Sequence, residues 1–270
     1  MITLTTIKKL SCEYGVSIHG SLILLSNILK SDYSEIFFKK DFEISEAELE
    51  TLISFLERRG RGEPIAKIIE NKEFYGLNFK TTSATLDPRP DTETIIDLFK
   101  DYHPNNLEKI NILDLGSGTG CLGITILTLF PNATCCFSDI SLEALDIAKE
   151  NAVRLGVFDR STFRISNWFE NINEVFDAIV SNPPYVSDDY ELDRETLYDP
   201  KIALFAGHDG LDAYNIILPQ SQIHLNQNGL LFIEIGFDQL KKIKNITHNL
   251  KLIKIGQDLS GIDRVIVFRN

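Results

Sequence analysis

The stretch Asn111-Ile-Leu-Asp-Leu-Gly-Ser-Gly-Thr-Gly120 constrains this chain more than any other. An apolar run of one strand's length passes directly into a glycine turn, and helical spacing starts at once behind it. Glycines in such a turn let the backbone run close to a ligand. Around this centre the text alternates. Short apolar runs predict strands over 110–115, 133–138, 161–166, 175–180 and 229–235, and amphipathic segments predict helices over 119–130, 141–156 and near 209–224. Strand-like text returns at 250–255 and 263–268. Alternation of this kind implies an α/β fold whose mainly parallel sheet is covered on both faces.

The first 60 residues read differently. Leu22, Leu25, Ile28 and Leu29, then Leu49, Leu52, Ile53 and Leu56, fall at helical spacing without strand alternation, and Ser45 with Glu48 forms a capping-box pattern. A small helical domain over 1–70 is expected. Residues 73–82 mix aromatic residues with Gly76 and Asn78, as a hairpin does, so 71–88 is read as a hairpin linker and 89–270 as the sheet domain.

With 270 residues, 43% of them hydrophobic and 24% charged, the chain can bury a core without disulfides or metal. The apolar stretches 121–130 and 229–237 fall short of the roughly 18–20 residues a membrane span needs. No signal-like segment opens the sequence, and a cytoplasmic protein without a membrane partner is expected. Cys12, Cys121, Cys135 and Cys136 form no C-x-x-C pair and have no His at ligand spacing, so no metal site is expected. The net charge is -12; residues 1–80 hold 11 basic and 12 acidic residues, and the remainder 16 against 27. An acidic body of that size argues against nucleic acid as the main partner.

Gly118 to Gly123 matches G-x-G-x-x-G, and Asp139 follows 21 residues after Gly118, which by letter suits a nicotinamide dinucleotide. Two details point elsewhere. Asp114 stands at the strand end, where a carboxylate repels pyrophosphate and favours an ammonium. The glycines also begin at Gly116, two residues too early for the dinucleotide pattern. A ligand with a ribose and a positive end but no phosphate fits better, and S-adenosylmethionine is such a ligand. Asp139, after the second strand, suits two ribose hydroxyls; it also suits an N-cap for the next helix, and the glycine turn favours the ribose. Trp168, after the third strand, sits where crevice ligands of open sheets bind, within reach of an adenine face.

Phe176-Asp-Ala-Ile-Val-Ser-Asn-Pro-Pro-Tyr185 leads a strand into Asn182-Pro183-Pro184-Tyr185. Such residues also punctuate ordinary loops. Here an amide, a rigid backbone and an aromatic ring reach the same sheet edge as the glycine turn. A planar NH2 group is a poor nucleophile because its lone pair is delocalised. The Asn182 side-chain oxygen and the Pro183 carbonyl can both accept from such a group and aim its nitrogen at a sulfonium methyl, while the prolines keep that carbonyl fixed. Tyr185 can cover the planar substrate group. Acceleration then comes from in-line positioning and from acceptors that suit the positive charge developing on nitrogen.

From about Arg59 onward the chain resembles the release-factor glutamine methyltransferases. The resemblance is carried by Gly62-Glu-Pro64, Glu73-Phe-Tyr-Gly76, Pro88-Arg-Pro-Asp-Thr-Glu93, Asp114 to Gly120, Asn182 to Tyr185, Gly207-His-Asp-Gly-Leu-Asp-Ala-Tyr214, Glu234-Ile-Gly236 and Gly261-Ile-Asp-Arg264. Asn-Pro-Pro-Tyr is shared with adenine and some ribosomal RNA methyltransferases; the segments 88–93 and 207–214 are the more particular. The resemblance implies a Rossmann-like class I methyltransferase sheet behind a helical first domain, and methylation of the glutamine amide in the Gly-Gly-Gln motif of peptide chain release factors. It places S-adenosylmethionine on Gly116, Ser117, Gly118, Thr119, Gly120 and Asp139, with Trp168 beside the adenine. It sets Asn182 between cofactor and glutamine, and Pro183, Pro184 and Tyr185 around the glutamine. Arg89 and Glu93 are expected near the entrance, although Asp91 and Glu93 suit a helix start equally well. Departures from the family pattern are Asp91 for Glu, Lys67 for an aromatic residue and Glu70 for Gly.

Overall fold

The computed structural model describes residues 1–247 and 249–270. Two compact units result: Met1–Asn71 with Leu192–Tyr198, and Lys72–Glu191 with Asp199–Asn270.

In the smaller unit β1 (Ile2–Thr3) leads into α1 (Leu4–Glu13), α2 (Ile18–Leu29) and α3 (Tyr33–Phe38). Then come β2 (Asp41–Phe42), paired with β1, α4 (Glu46–Gly60) and α5 (Ile65–Ile69). Its core is drawn from the apolar stripe of each main helix, with Ile7, Leu24, Leu25, Leu52 and Leu56 fully buried. The capping box at Ser45 is formed in both directions: Glu48 N donates to Ser45 Oγ and Ser45 N donates to Glu48 Oε2. The segment 192–198 lies far off in sequence yet belongs here, where Glu195 pairs with Arg59.

The larger unit opens with the hairpin β3 (Lys72–Phe74) and β4 (Leu77–Phe79). This hairpin is more than a connector, because Phe74 and Phe79 are buried in the core of the larger unit. After α6 (Glu93–Tyr102) the chain builds β5 (Asn111–Leu115), α7 (Cys121–Leu129), β6 (Thr134–Asp139), α8 (Leu142–Arg154), β7 (Ser161–Ile165) and β8 (Phe176–Ser181). It ends with α9 (Asp212–His224), β9 (Leu225–Glu234), α10 (Leu240–Lys244), β10 (Lys251–Gln257) and β11 (Asp263–Arg269). The sheet order is β10-β11-β9-β8-β5-β6-β7, parallel except for β11, which runs antiparallel to both its neighbours.

Alternation along the strands produces the layers. Ile112, Cys135, Phe137, Ala178, Val180, Phe232 and Val267 face one side, beneath α6 and α7, with Leu145 and Ala152 of α8. Leu113, Cys136, Ile179, Leu231, Ile233, Ile266 and Phe268 face the other, beneath α9 and α10. Gly123 allows α7 to lie close on the sheet, since a Cβ there would stand 2.5 Å from the Phe137 ring and 2.8 Å from Cys135 Sγ. β6 lies on one side of β5 and β8 on the other, so the chain reverses its direction of travel across the sheet at β5, and the carboxyl ends there border a crevice.

Candidate active site

A cleft of about 1100 Å³, counted out to its open mouth, lies over that crevice. From the sheet it is lined by Asp114 and Leu115 of β5, the turn 116–119, Ser138 and Asp139 of β6, Trp168 after β7, and Asn182 and Pro184 after β8. Segments 84–89 and 200–203 line it as well, tied beside it by Asp199, which pairs with Arg89 at 2.6 Å and accepts from Asp87 N at 3.3 Å.

The turn does not form a phosphate cradle. Gly116 N and Ser117 N both donate to Ser138 O at 2.9 Å, Gly118 N donates to Asp139 Oδ2 at 2.8 Å, and Gly120 N donates to Ser117 O at 2.7 Å. Four of its amides are therefore spent within the protein, which removes the feature a dinucleotide reading needs. Gly116, Gly118 and Gly120 have φ of +72°, +53° and +76°. A Cβ at Gly118 would meet nothing within 4 Å, and one at Gly116 would approach Trp168 at 3.7 Å, so at these two positions glycine serves the backbone turn and leaves the floor of the cleft open. The Ser117 hydroxyl is buried without a hydrogen-bond partner among the described residues, a donor left for a ligand.

Asp139 accepts from Gly118 N on Oδ2 and from Ser141 N on Oδ1 at 2.9 Å, and the Ile140 amide also acts on it, which leaves part of its acceptor capacity open. Ser141 itself caps α8, so Asp139 is free of the capping duty. Burial raises its pKa, and the amides that bind it oppose the rise. Asp114 is deeper. Its Oδ2 accepts from Gly123 N at 2.9 Å, and burial, with Asp139 nearby, pushes its pKa to about 8. It is thus a neutral acid near pH 7 that an arriving cation would ionise, a refinement of the fixed negative charge expected from sequence.

Not every expected residue lines the cleft. Gly120 turns into the core, where a Cβ would meet Ile124 at 3.0 Å and Ala148 at 3.2 Å. Pro183 is buried, and Tyr185 points its hydroxyl inward to Glu234 Oε1 at 3.2 Å, where burial raises its pKa further. Asn182 does reach the cleft, and its Nδ2 donates to Thr92 Oγ1 at 3.0 Å. Arg89 lines the mouth, whereas Glu93 is the first residue of α6 and accepts from Tyr75 N at 2.7 Å.

The loop is braced from behind. Ser181 Oγ donates to Leu115 O at 2.7 Å, fixing the end of β8 to the end of β5. Gln239 Nε2 donates to Tyr185 O at 2.9 Å and to Gly210 O at 3.0 Å, and Tyr214 OH donates to Glu234 O at 3.0 Å. Gly210 has φ of +71° and passes so close that a Cβ would lie 2.3 Å from Tyr185 O. Segment 207–214 is therefore the bracket of the Asn182 loop. Sequence reading assigned no role to Thr92, Glu234 or Gln239; Thr92 and Glu234 gave only their place in shared motifs, and Gln239 gave no signal.

A family model for the methyltransferase small domain matches residues 92–197, and one for the PrmC N-terminal domain matches residues 17–69. A release factor glutamine methyltransferase of Agrobacterium fabrum is 36% identical over 255 residues, covering 92% of this chain and 88% of that protein. The chain belongs to this family. A bifunctional methyltransferase of Rickettsia bellii is 38% identical over 275 residues, covering 90% of this chain and 50% of its own length, so the family member described here spans about half of such relatives. The fold is also that of a Thermus thermophilus 16S rRNA N2 G1207 methyltransferase solved with AdoMet and guanosine, at a TM-score of 0.51 and 14% identity over 74% of this chain and 49% of that one. Among the described residues no helix is long and apolar enough to cross a membrane, and no group of His, Cys, Asp and Glu is arranged to hold a metal ion.

Proposed function

We propose that this family member transfers the methyl group of S-adenosylmethionine to the side-chain amide nitrogen of the glutamine in the Gly-Gly-Gln motif of release factors, in the cytoplasm. One observation carries the reading. Asn182 spends its NH2 on Thr92, so its side-chain oxygen is the end left for the cleft that Gly116, Gly118 and Asp139 also line. An acceptor oxygen there suits a substrate NH2.

The lining fits the cofactor in chemistry. Asp139 offers two oriented oxygens for ribose hydroxyls, Trp168 a ring beside the turn, Asp114 a proton-exchanging carboxyl for an amino acid ammonium, and the turn has already committed four of its amides within the protein. The cofactor supplies a sulfonium-bound methyl group. The chain's own task is to hold the acceptor amide in line with it and to favour charge developing on nitrogen, through the Asn182 oxygen. No strong base is required before transfer, because methylation itself makes the nitrogen acidic.

The direct test is incubation with labelled methyl donor and a release factor. Label is expected on the glutamine of the Gly-Gly-Gln peptide. Label appearing in ribosomal RNA or DNA and absent from that peptide would reject the assignment.

A further inference from the structure

Glu234 closes β9 with 1% of its surface exposed, and its two oxygens accept from Thr92 Oγ1 at 2.6 Å and Tyr185 OH at 3.2 Å. Arg264, the cation on neighbouring β11, is itself engaged by Asp91 at 3.1 Å and Asp258 at 2.9 Å. A buried carboxylate is costly unless it is well used. The Thr92 hydroxyl has one proton, and it sits between Glu234 and Asn182.

We propose that Glu234 is a positioning residue for methyl transfer: through the single proton of Thr92, its carboxylate dictates which end of the Asn182 amide faces the cleft. The proposal rests on the reading that Asn182 holds the acceptor amide. With Glu234 ionised, Thr92 must donate to it and can therefore only accept from Asn182. The Asn182 NH2 is drawn inward and its oxygen is left for the substrate. A proton on Oε2 reverses the order: the carboxyl donates to Thr92, Thr92 donates to the Asn182 oxygen, and the amide turns over. Two NH2 groups then meet across the cleft, and neither can accept. Tyr185 hydrogen-bonds the other carboxylate oxygen, so the same charge also holds the far end of the Asn-Pro-Pro-Tyr loop.

Burial pushes Glu234 up to about 7, with Asp91 adding to the rise and the hydrogen bonds from Thr92 and Tyr185, together with Arg264, opposing it. The other titratable groups facing it are Tyr185, Tyr214 on α9 and Cys121 at the start of α7. Burial raises all three, Cys121 to about 12, and they stay neutral over the range in question.

The test compares wild type with Glu234→Gln, Thr92→Val and Thr92→Ser in methylation of release factor from pH 5.5 to 9, with S-adenosylhomocysteine affinity measured by calorimetry. Thr92→Val should lower kcat about 10- to 100-fold while cofactor-product affinity stays within about threefold, and Thr92→Ser should restore the rate. Wild type should show an acid limb near neutrality that Glu234→Gln lacks. The Asn182 side-chain NH2 signals, followed by nitrogen-15 NMR, should shift across the same pH range in wild type and not in Glu234→Gln. A Thr92→Val enzyme with wild-type kcat, an unchanged acid limb in Glu234→Gln, or a serine variant as slow as the valine one overturns the proposal. Wild-type inactivity on release factor would instead sink the functional reading, and the NMR titration would still decide the relay.

Discussion

Glu70 ends α5 in the left-handed region, with φ of 51° and ψ of 37°. That geometry favours glycine, the residue the family resemblance implies there: an L side chain in this region carries about 1 kcal/mol of strain. Glu70→Gly should therefore raise stability by roughly 0.5–1 kcal/mol in denaturant titration, set against the loss of a weak attraction to Arg58. At the candidate site, the proposed function has single residues divide the work between binding and transfer. Asn182→Ala should keep cofactor affinity near wild type and remove most of the rate if, as proposed, its oxygen serves the acceptor. Asp139→Ala should show the reverse, weakening cofactor binding first, and calorimetry alongside steady-state kinetics separates the two. Equal collapse of binding in both variants would mean the roles are misassigned.

At the scale of elements, α7 lies close on β6 at Gly123. Gly123→Ala would push a methyl into Phe137 and Cys135 and should cost about 1–3 kcal/mol, read as a lower thermal midpoint. The order of strand, turn and helix here was legible beforehand, because the apolar run 110–115 and the glycines behind it leave little other choice; the close packing on Phe137 was not. The parallel strands were readable for the same reason: residues buried on both faces make continuous apolar text, as at 176–181. The direction of β11 was not readable, because an antiparallel return between β9 and β10 leaves the same apolar text as a parallel strand. Segment 192–198 was also assigned with its sequence neighbours, although it folds with residues 1–71. The glycine turn, Asp139 and Asn182 stood out as local motifs. Their support did not. Thr92 and Glu234 lie 142 residues apart and meet only because α6 begins over the end of β9, so no spacing rule could couple them. Tyr185 was legible as an aromatic ring and misleading in direction, because its hydroxyl found a buried partner behind the loop.

For the whole molecule, two buried carboxyls contribute to the pH response with the same sign. Asp114 at about 8 and Glu234 at about 7 both hold protons in the folded state that the unfolded chain releases near pH 4. Their contribution is fully present below pH 4 and fades as pH rises toward 8, so this pair makes the apo protein less stable at pH 8 than at pH 6. For Glu234 the loss is at most about 3 kcal/mol, and Glu234→Gln should flatten part of the slope in melts run across that range. Cofactor binding should ionise Asp114 and release a proton near pH 7, seen as a dependence of calorimetric heat on buffer that Asp114→Asn lacks. The spent amides of the glycine turn have a further effect. Adenine nucleotides carry the same base and sugar as the proposed cofactor, yet their phosphates would arrive where two acids wait and four backbone donors are already taken. Discrimination against ATP is thus built into the turn itself, with no gate needed to exclude it.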